Sequence, residues 1–168
     1  MSETITIGAV ATPAGSYGAV FTQRGLAQLS FPTDDTSACE RWAARWAPGA
    51  LRAADDARLA ELAAQLGAYF AGRLRAFDLA LDLRGTPFQL RVWHELLTIG
   101  YGEVRSYAAV AAAIGAPQAF RAVGAANGAN PVPIIVPCHR LVGSGGALIK
   151  YGGGLAVKRR LLDLERGQ

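Results

Sequence analysis

The sequence predicts a mixed α/β (α+β) protein, with a strand-and-helix first half followed by a mostly helical second half that contains a helix-turn-helix. Three observations lead there. Alternating apolar segments near the N-terminus are punctuated by turn residues, as strands are. Two stretches, Cys39–Trp46 and the Ala- and Leu-rich Ala53–Arg73, carry apolar residues at helical intervals. After Gly85, helix start signals recur at short spacing, two of them joined by Gly115-Ala116-Pro117. The expected domains are residues 1–83 and 84–168.

Taken in order, Thr4 to Thr12 has strand character, and Tyr17–Gln23 and Leu26–Phe31 flank Arg24-Gly25, a hairpin signal. Cys39 to Trp46 predicts a short helix ending before Pro48-Gly49, with Cys39, Trp42 and Trp46 spaced for a core face. Ala53 to Arg73 predicts a long helix with Leu59, Leu62, Leu66 and Tyr69 on one side. Phe77, Leu79, Leu81 and Leu83 alternate and predict a half-buried strand.

In the second half, Thr86-Pro87-Phe88-Gln89 is a capping box with proline at the first helical position. Phe88, Val92, Leu96 and Ile99 form its buried stripe, Tyr101-Gly102 ends it, and His94 sits on it alone as a surface or partly packed residue. Ser106 caps a helix from Tyr107 to Ile114, and a second runs from Pro117 to about Asn127. The second is crowded with small residues, Ala119, Ala122, Gly124, Ala125 and Ala126, with one long cation, Arg121; tight helix packing would select the same small residues. A stiff loop with two prolines, Gly128 to Pro133, leads into Ile134-Ile135-Val136, expected as a short strand buried on both sides. Gly143-Ser144-Gly145-Gly146 is a flexible turn, and Tyr151-Gly152-Gly153-Gly154 opens a last helix from Leu155 to about Glu165.

Composition narrows the function. Half of the 168 residues are hydrophobic and 18% are charged, which excludes a disordered tail. No apolar run is long enough to span a bilayer, and the N-terminus lacks the basic region of a signal peptide, so the cytosol is the expected compartment. Two cysteines make no disulfide framework, and Cys39, His94, Cys138 and His139 fit no common zinc spacing, so no metal is expected. The net charge of +4 is uneven: residues 1–83 carry seven Arg/Lys and nine Asp/Glu, residues 84–168 ten and four. The basic excess belongs to the second half and favours a polyanionic partner there.

The chemistry centres on Pro137-Cys138-His139-Arg140. A thiol attacks as its thiolate, and a neighbouring imidazole promotes that form. Side chains adjacent on a strand point apart, so contact between Cys138 and His139 requires a turn at Cys138 or a bridging water.

The run Asn130-Pro131-Val132-Pro133-Ile134-Ile135-Val136-Pro137-Cys138-His139-Arg140 resembles the active-site signature of the O6-alkylguanine-DNA alkyltransferases, or methylated-DNA–protein-cysteine methyltransferases. The resemblance extends upstream through Thr86–Gln89, Ser106-Tyr107 and Arg121–Gly124, and downstream through Tyr151–Leu155 to Leu161, Leu162 and Glu165. It implies a ribonuclease H-like N-terminal domain of structural role and a C-terminal domain that binds DNA and transfers the alkyl group. It implies Cys138 as nucleophile and single-use acceptor, His139 as base through a water, Glu165 as its orienting carboxylate, Asn130 as brace of the loop, and Tyr107 as donor to the departing guanine. Arg121 would replace a flipped base, with Ala122, Gly124, Ser106 and Ser144 at the DNA and Tyr151, Gly152 and Leu141 at the substrate pocket. The partner implied is double-stranded DNA with alkylated bases, approached through the minor groove by a monomer with no cofactor.

Three positions depart from the family's common pattern: Phe120 beside Arg121, Lys150 before Tyr151 and Gly152 after it. Three other readings compete. One is a non-enzymatic sensor of alkylated DNA from the same superfamily, which lacks the acceptor cysteine. Another is a helix-turn-helix regulator, which needs no Cys138, His139 and Glu165 together. The third is a cysteine hydrolase, which should turn over many substrates.

Overall fold

The computed structural model describes residues 2–32 and 35–168. The chain forms two compact units, Met1–Arg84 and Gly85–Gln168. Arg84 is bound into the first: its guanidinium donates to Glu3, to Asp82 at 2.7 Å and to the Trp46 carbonyl at 2.8 Å.

The first unit is a four-stranded sheet in the order β3-β2-β1-β4. Strands β1 (Thr4–Thr12), β2 (Gly15–Thr22) and β3 (Gly25–Leu29) form an antiparallel meander, as the hairpin signals predicted. The two-residue β4 (Leu51–Arg52), absent from the sequence prediction, pairs parallel to the start of β1. Helices α1 (Ser37–Trp46) and α2 (Asp56–Phe70) use alternate residues of the strands. Ile5, Val20 and Ala27 pack with Cys39, Trp42 and Ala43 of α1. Gly8 and Tyr17 face α2; a side chain at Gly8 would collide with Leu59, and Tyr17 stacks near Phe70.

One expectation here needs correction. Phe77–Leu83 is not a strand. It makes a single parallel bridge, Leu26 to Leu81, with Leu26 N–H donating to the Ala80 carbonyl and Asp82 N–H to the Leu26 carbonyl. The alternation is real, but Asp82 turns inward to accept from Thr22 Oγ1 at 2.7 Å and from Arg84, and these polar ties replace a ladder.

The second unit is built on α3 (Pro87–Leu96), α4 (Tyr107–Ala113), α5 (Phe120–Gly128) and α6 (Leu155–Arg166), with a two-stranded parallel ladder of β5 (Arg105–Ser106) and β6 (Leu141–Val142). Both bonds of the predicted capping box at Thr86 and Gln89 are present. The helix ends earlier than Tyr101, in turns that bury Ile99, while Phe88 is half-buried and Trp93 takes a core place. Trp93 Nε1 donates to the Ala126 carbonyl at 2.8 Å and so ties α3 to α5. Ser106 caps α4 by accepting from Ala109 N–H at 3.0 Å.

Ile134–Val136 is likewise not a strand. Val136 N–H donates back to the Val132 carbonyl, and Ile134 has φ of +73°, a left-handed conformation that a β-branched residue rarely adopts. Asn130 closes this turn from both sides. Its Nδ2 donates to the Val136 carbonyl at 2.8 Å, and its Oδ1 accepts from Val132 N–H at 3.0 Å. The apolar run is buried as expected, but two prolines and an asparagine clamp fold it into a turn.

Candidate active site

Cys138, His139 and Arg140 form one 3-10 turn between that loop and β6. The turn removes the strand alternation that would have sent Cys138 and His139 to opposite sides. All three are buried; Cys138 is 5% exposed and His139 fully enclosed.

α6 faces this turn with Lys158, Leu161, Leu162 and Glu165, residues at intervals of three and four and therefore on one side of the helix. Glu165 Oε1 lies 2.7 Å from His139 Nε2. A carboxylate accepts, so Nε2 carries the ring proton and Nδ1 is left as the basic nitrogen of the neutral imidazole. Among the described residues Nδ1 has no hydrogen-bond partner in the protein. Glu165 also accepts from Arg140 Nε and Nη2, both at 2.9 Å, and from Gly102 N–H at 3.2 Å. Arg140 donates further to the Ile99 carbonyl at 2.7 Å. The carboxylate charge is thus neutralised by a two-pronged guanidinium, a geometry that arginine makes and lysine does not.

Burial raises the Cys138 thiol pKa above its ordinary value; Asn130, the backbone of Cys138 and Ile134, and the charge of Lys158 pull the other way. Burial also holds His139 below the usual imidazole range, against the pull of Glu165. Both directions leave a neutral thiol and a neutral imidazole at rest. Tyr107 on α4 is raised by burial and by proximity to Cys138, so its phenol keeps its proton and can donate.

The other predicted residues are distributed as follows. Arg121, Ala122 and Ala125 lie exposed on α5 while Val123, Ala126 and Asn127 are buried, so packing does not account for all of the small residues. Gly124 passes against the Tyr107 ring, where an added Cβ would stand 3.7 Å from it. Phe120 does not pack inward: it is 46% exposed, its ring 6.0 Å from the Arg121 guanidinium. Ser144 is exposed in a short turn, Gly152 is exposed and Tyr151 half-buried. Ser106 serves as a helix cap, and Leu141 is fully buried in β6. His94 is exposed and Cys39 lies in the core of the first unit, as expected of each. Sequence reasoning gave no role to Arg140 or Lys158; the helical spacing of Lys158 with Leu161, Leu162 and Glu165 was the available signal. Among the described residues no three His, Cys, Asp or Glu side chains cluster as a metal site, and no helix is long and apolar enough to cross a membrane.

Residues 87–167 match the family described as 6-O-methylguanine DNA methyltransferase, DNA binding domain. Residues 12–83 match its ribonuclease-like domain. A methylated-DNA–protein-cysteine methyltransferase of Mycobacterium tuberculosis H37Rv is 59% identical over 121 residues, which span 72% of this chain and 68% of that one. The inducible enzyme of that name from Bacillus subtilis is 42% identical over 145 residues, 86% of this chain and 81% of the relative. The crystal structure of Mycobacterium tuberculosis OGT in complex with DNA superposes with a TM-score of 0.80 at 44% identity, covering 98% of this chain and 93% of that one. The chain therefore belongs to the 6-O-methylguanine DNA methyltransferase family. It is an enzyme of the methylated-DNA–protein-cysteine methyltransferase class, and its first unit is the family's ribonuclease-like domain.

Proposed function

We propose that this chain repairs alkylated DNA by direct reversal, with Cys138 taking the alkyl group from O6 of guanine, and less readily from O4 of thymine, once per molecule and irreversibly. The observation that carries this reading is the buried set of Cys138, His139 with Nδ1 unengaged, and Glu165 bound to the opposite ring nitrogen. Such a set accepts the thiol proton on His139, through a bridging water, as sulfur bonds to the alkyl carbon. The carbon–O6 bond breaks, its electron pair leaves with guanine, and Tyr107 donates a hydrogen bond or proton to the departing base. Asn130 holds the turn that aims the sulfur. The thioether formed has no route back to thiol, so the molecule is spent.

A base inside a duplex is out of reach of a buried sulfur, so the target nucleotide must be flipped. Arg121, exposed at the start of α5, would fill the gap it leaves. Ala122 and Gly124 would let α5 approach the minor groove, with Ser106 and Ser144 at flanking phosphates or sugars. Phe120, exposed beside Arg121, would add an apolar wedge to the same step. Tyr151, Gly152 and Leu141 would bound the base pocket. The protein would act as a cytoplasmic monomer without a cofactor.

The test is the intact mass of the protein after incubation with a duplex carrying one O6-methylguanine. The expected result is one added methyl group, on Cys138, and none in Cys138→Ser. Repeated turnover, or tight binding with no change in mass, would overturn the proposal; the latter outcome would favour a sensor of alkylated DNA.

A further inference from the structure

The chain has only two lysines among its 17 Arg and Lys, and one of them, Lys158, is 0% exposed. A fully buried ammonium is costly and persists only where its surroundings compensate it. Its Nζ donates to the Leu141 carbonyl at 2.5 Å and to the Lys150 carbonyl at 3.2 Å. Leu141 opens β6, directly after the Cys138–Arg140 turn, and Lys150 immediately precedes Tyr151. Glu165, on the same face of α6, is bonded to His139 and Arg140.

The geometry points to Lys158 as a positioning residue for alkyl transfer: it ties the Lys150–Tyr151 segment to β6 beside the Cys138 turn and holds a buried positive charge where the thiolate forms. This rests on the reading of Cys138 as acceptor. The charges act on each other in both directions. Lys158 favours the Cys138 anion, and Cys138 favours the Lys158 cation, each against its own burial. Before reaction the thiol is neutral, and among the described residues the ammonium donates to two backbone carbonyls. Once His139 removes the thiol proton, an anion appears opposite the ammonium in a site of low dielectric. The interaction is thus stronger on the way to the transition state than before it, which is the condition for acceleration. Lys158 gives up no proton; the bond made is sulfur to alkyl carbon and the bond broken is that carbon to O6. The other ionisable groups around Cys138 are Tyr107 on α4, His139 and Arg140 in its own turn, and Glu165 on α6.

The test compares wild type with Lys158→Met, which keeps an apolar stem of similar length, and with Lys158→Arg, which keeps the charge. Two pH profiles are read for each: methyl transfer from an O6-methylguanine duplex, and alkylation of Cys138 by iodoacetamide located by mass. Loss of a nearby opposite charge moves a thiol by about one unit or more. Lys158→Met should therefore shift both inflections upward by about that much, with roughly tenfold slower reaction at neutral pH. Lys158→Arg should keep the inflections near those of wild type. A uniform loss of rate with unmoved inflections would reduce Lys158 to a structural part and overturn the inference. Failure of wild type to take a methyl group would instead sink the acceptor reading, while the iodoacetamide profile would still report the coupling. Should Lys158→Met not fold, lysine labelled with nitrogen-15 gives two Nζ signals in the intact protein, assigned with Lys150→Arg. The Lys158 signal should titrate at lower pH in Cys138→Ser than in wild type, and identical midpoints would overturn the inference.

Discussion

Cys39 and Cys138 are both buried thiols, and their surroundings differ in kind. Cys39 lies on α1 among Ile5, Val20, Ala27 and Trp42, with Gly18 leaving room for its sulfur. Burial, and secondarily the charge of Glu40, pushes its pKa to about 11. Around Cys138 the burial is as deep, but half-buried Asn130, turned backbone N–H groups and buried Lys158 stand with it and favour the anion. A basic imidazole and a carboxylate follow behind. Burial alone removes a thiol from chemistry; a buried thiol becomes usable when the groups that would receive its proton and face its charge are enclosed too.

The comparison breaks most severely at Glu165. Glu165→Gln strips a buried carboxylate from His139 and leaves Arg140 unneutralised. Methyl transfer to Cys138 should fall on the order of 100-fold, and stability by about 3–5 kcal/mol in a denaturant titration. An unchanged transfer rate would detach Cys138 from the imidazole and make its site no different from that of Cys39. A smaller effect is expected at the exposed end of α5. Arg121→Ala should slow repair of duplex DNA by roughly tenfold or more, the scale of one lost stacking or filling group, and leave the reaction with free O6-benzylguanine unchanged. Phe120→Ala should act in the same direction more weakly. Equal losses with duplex and free base would remove both residues from base flipping.

The smallest effect concerns Cys39 itself. Its folded pKa lies above its ordinary value of 9.0, so the unfolded chain releases the proton first as pH rises. Stability is therefore lost between pH 9.0 and about 11 and retained below that window. Cys39→Ala should transfer methyl groups like wild type and cost about 1 kcal/mol at neutral pH. Its melting temperature should also decline less steeply across the alkaline window. An unaltered slope would place the alkaline loss elsewhere.

What was legible in the sequence was mostly local. Thr86 with Gln89 and Ser106 with Ala109 N–H are decided within four residues, and both caps formed as read. The hairpin at Arg24-Gly25 and the helical stripe of Leu62, Leu66 and Tyr69 are equally short-range. Phe77–Leu83 and Ile134–Val136 were misread because alternation and apolarity report burial, not whether a neighbouring strand offers a ladder. The two-residue strands β4, β5 and β6 carry no periodicity to read. At the site, Cys138, His139 and Asn130 stand in one short run, while Glu165 came from the resemblance and Lys158 was passed over. A lysine aligned with leucines on one helix face reads as a solvated edge until a partner for its ammonium is known.

By itself, the sequence determined that this protein has a basic second half, a family frame from Thr86 to Glu165 and one cysteine set next to an imidazole. The tertiary structure decided which of the two buried thiols is accompanied. Bringing α6 to the Cys138 turn places Glu165 and Lys158, distant in the chain, against His139 and the Leu141 carbonyl. Electrostatic effects on a thiol fall off with distance and grow as water is excluded, and both are properties of the packed chain and not of its order.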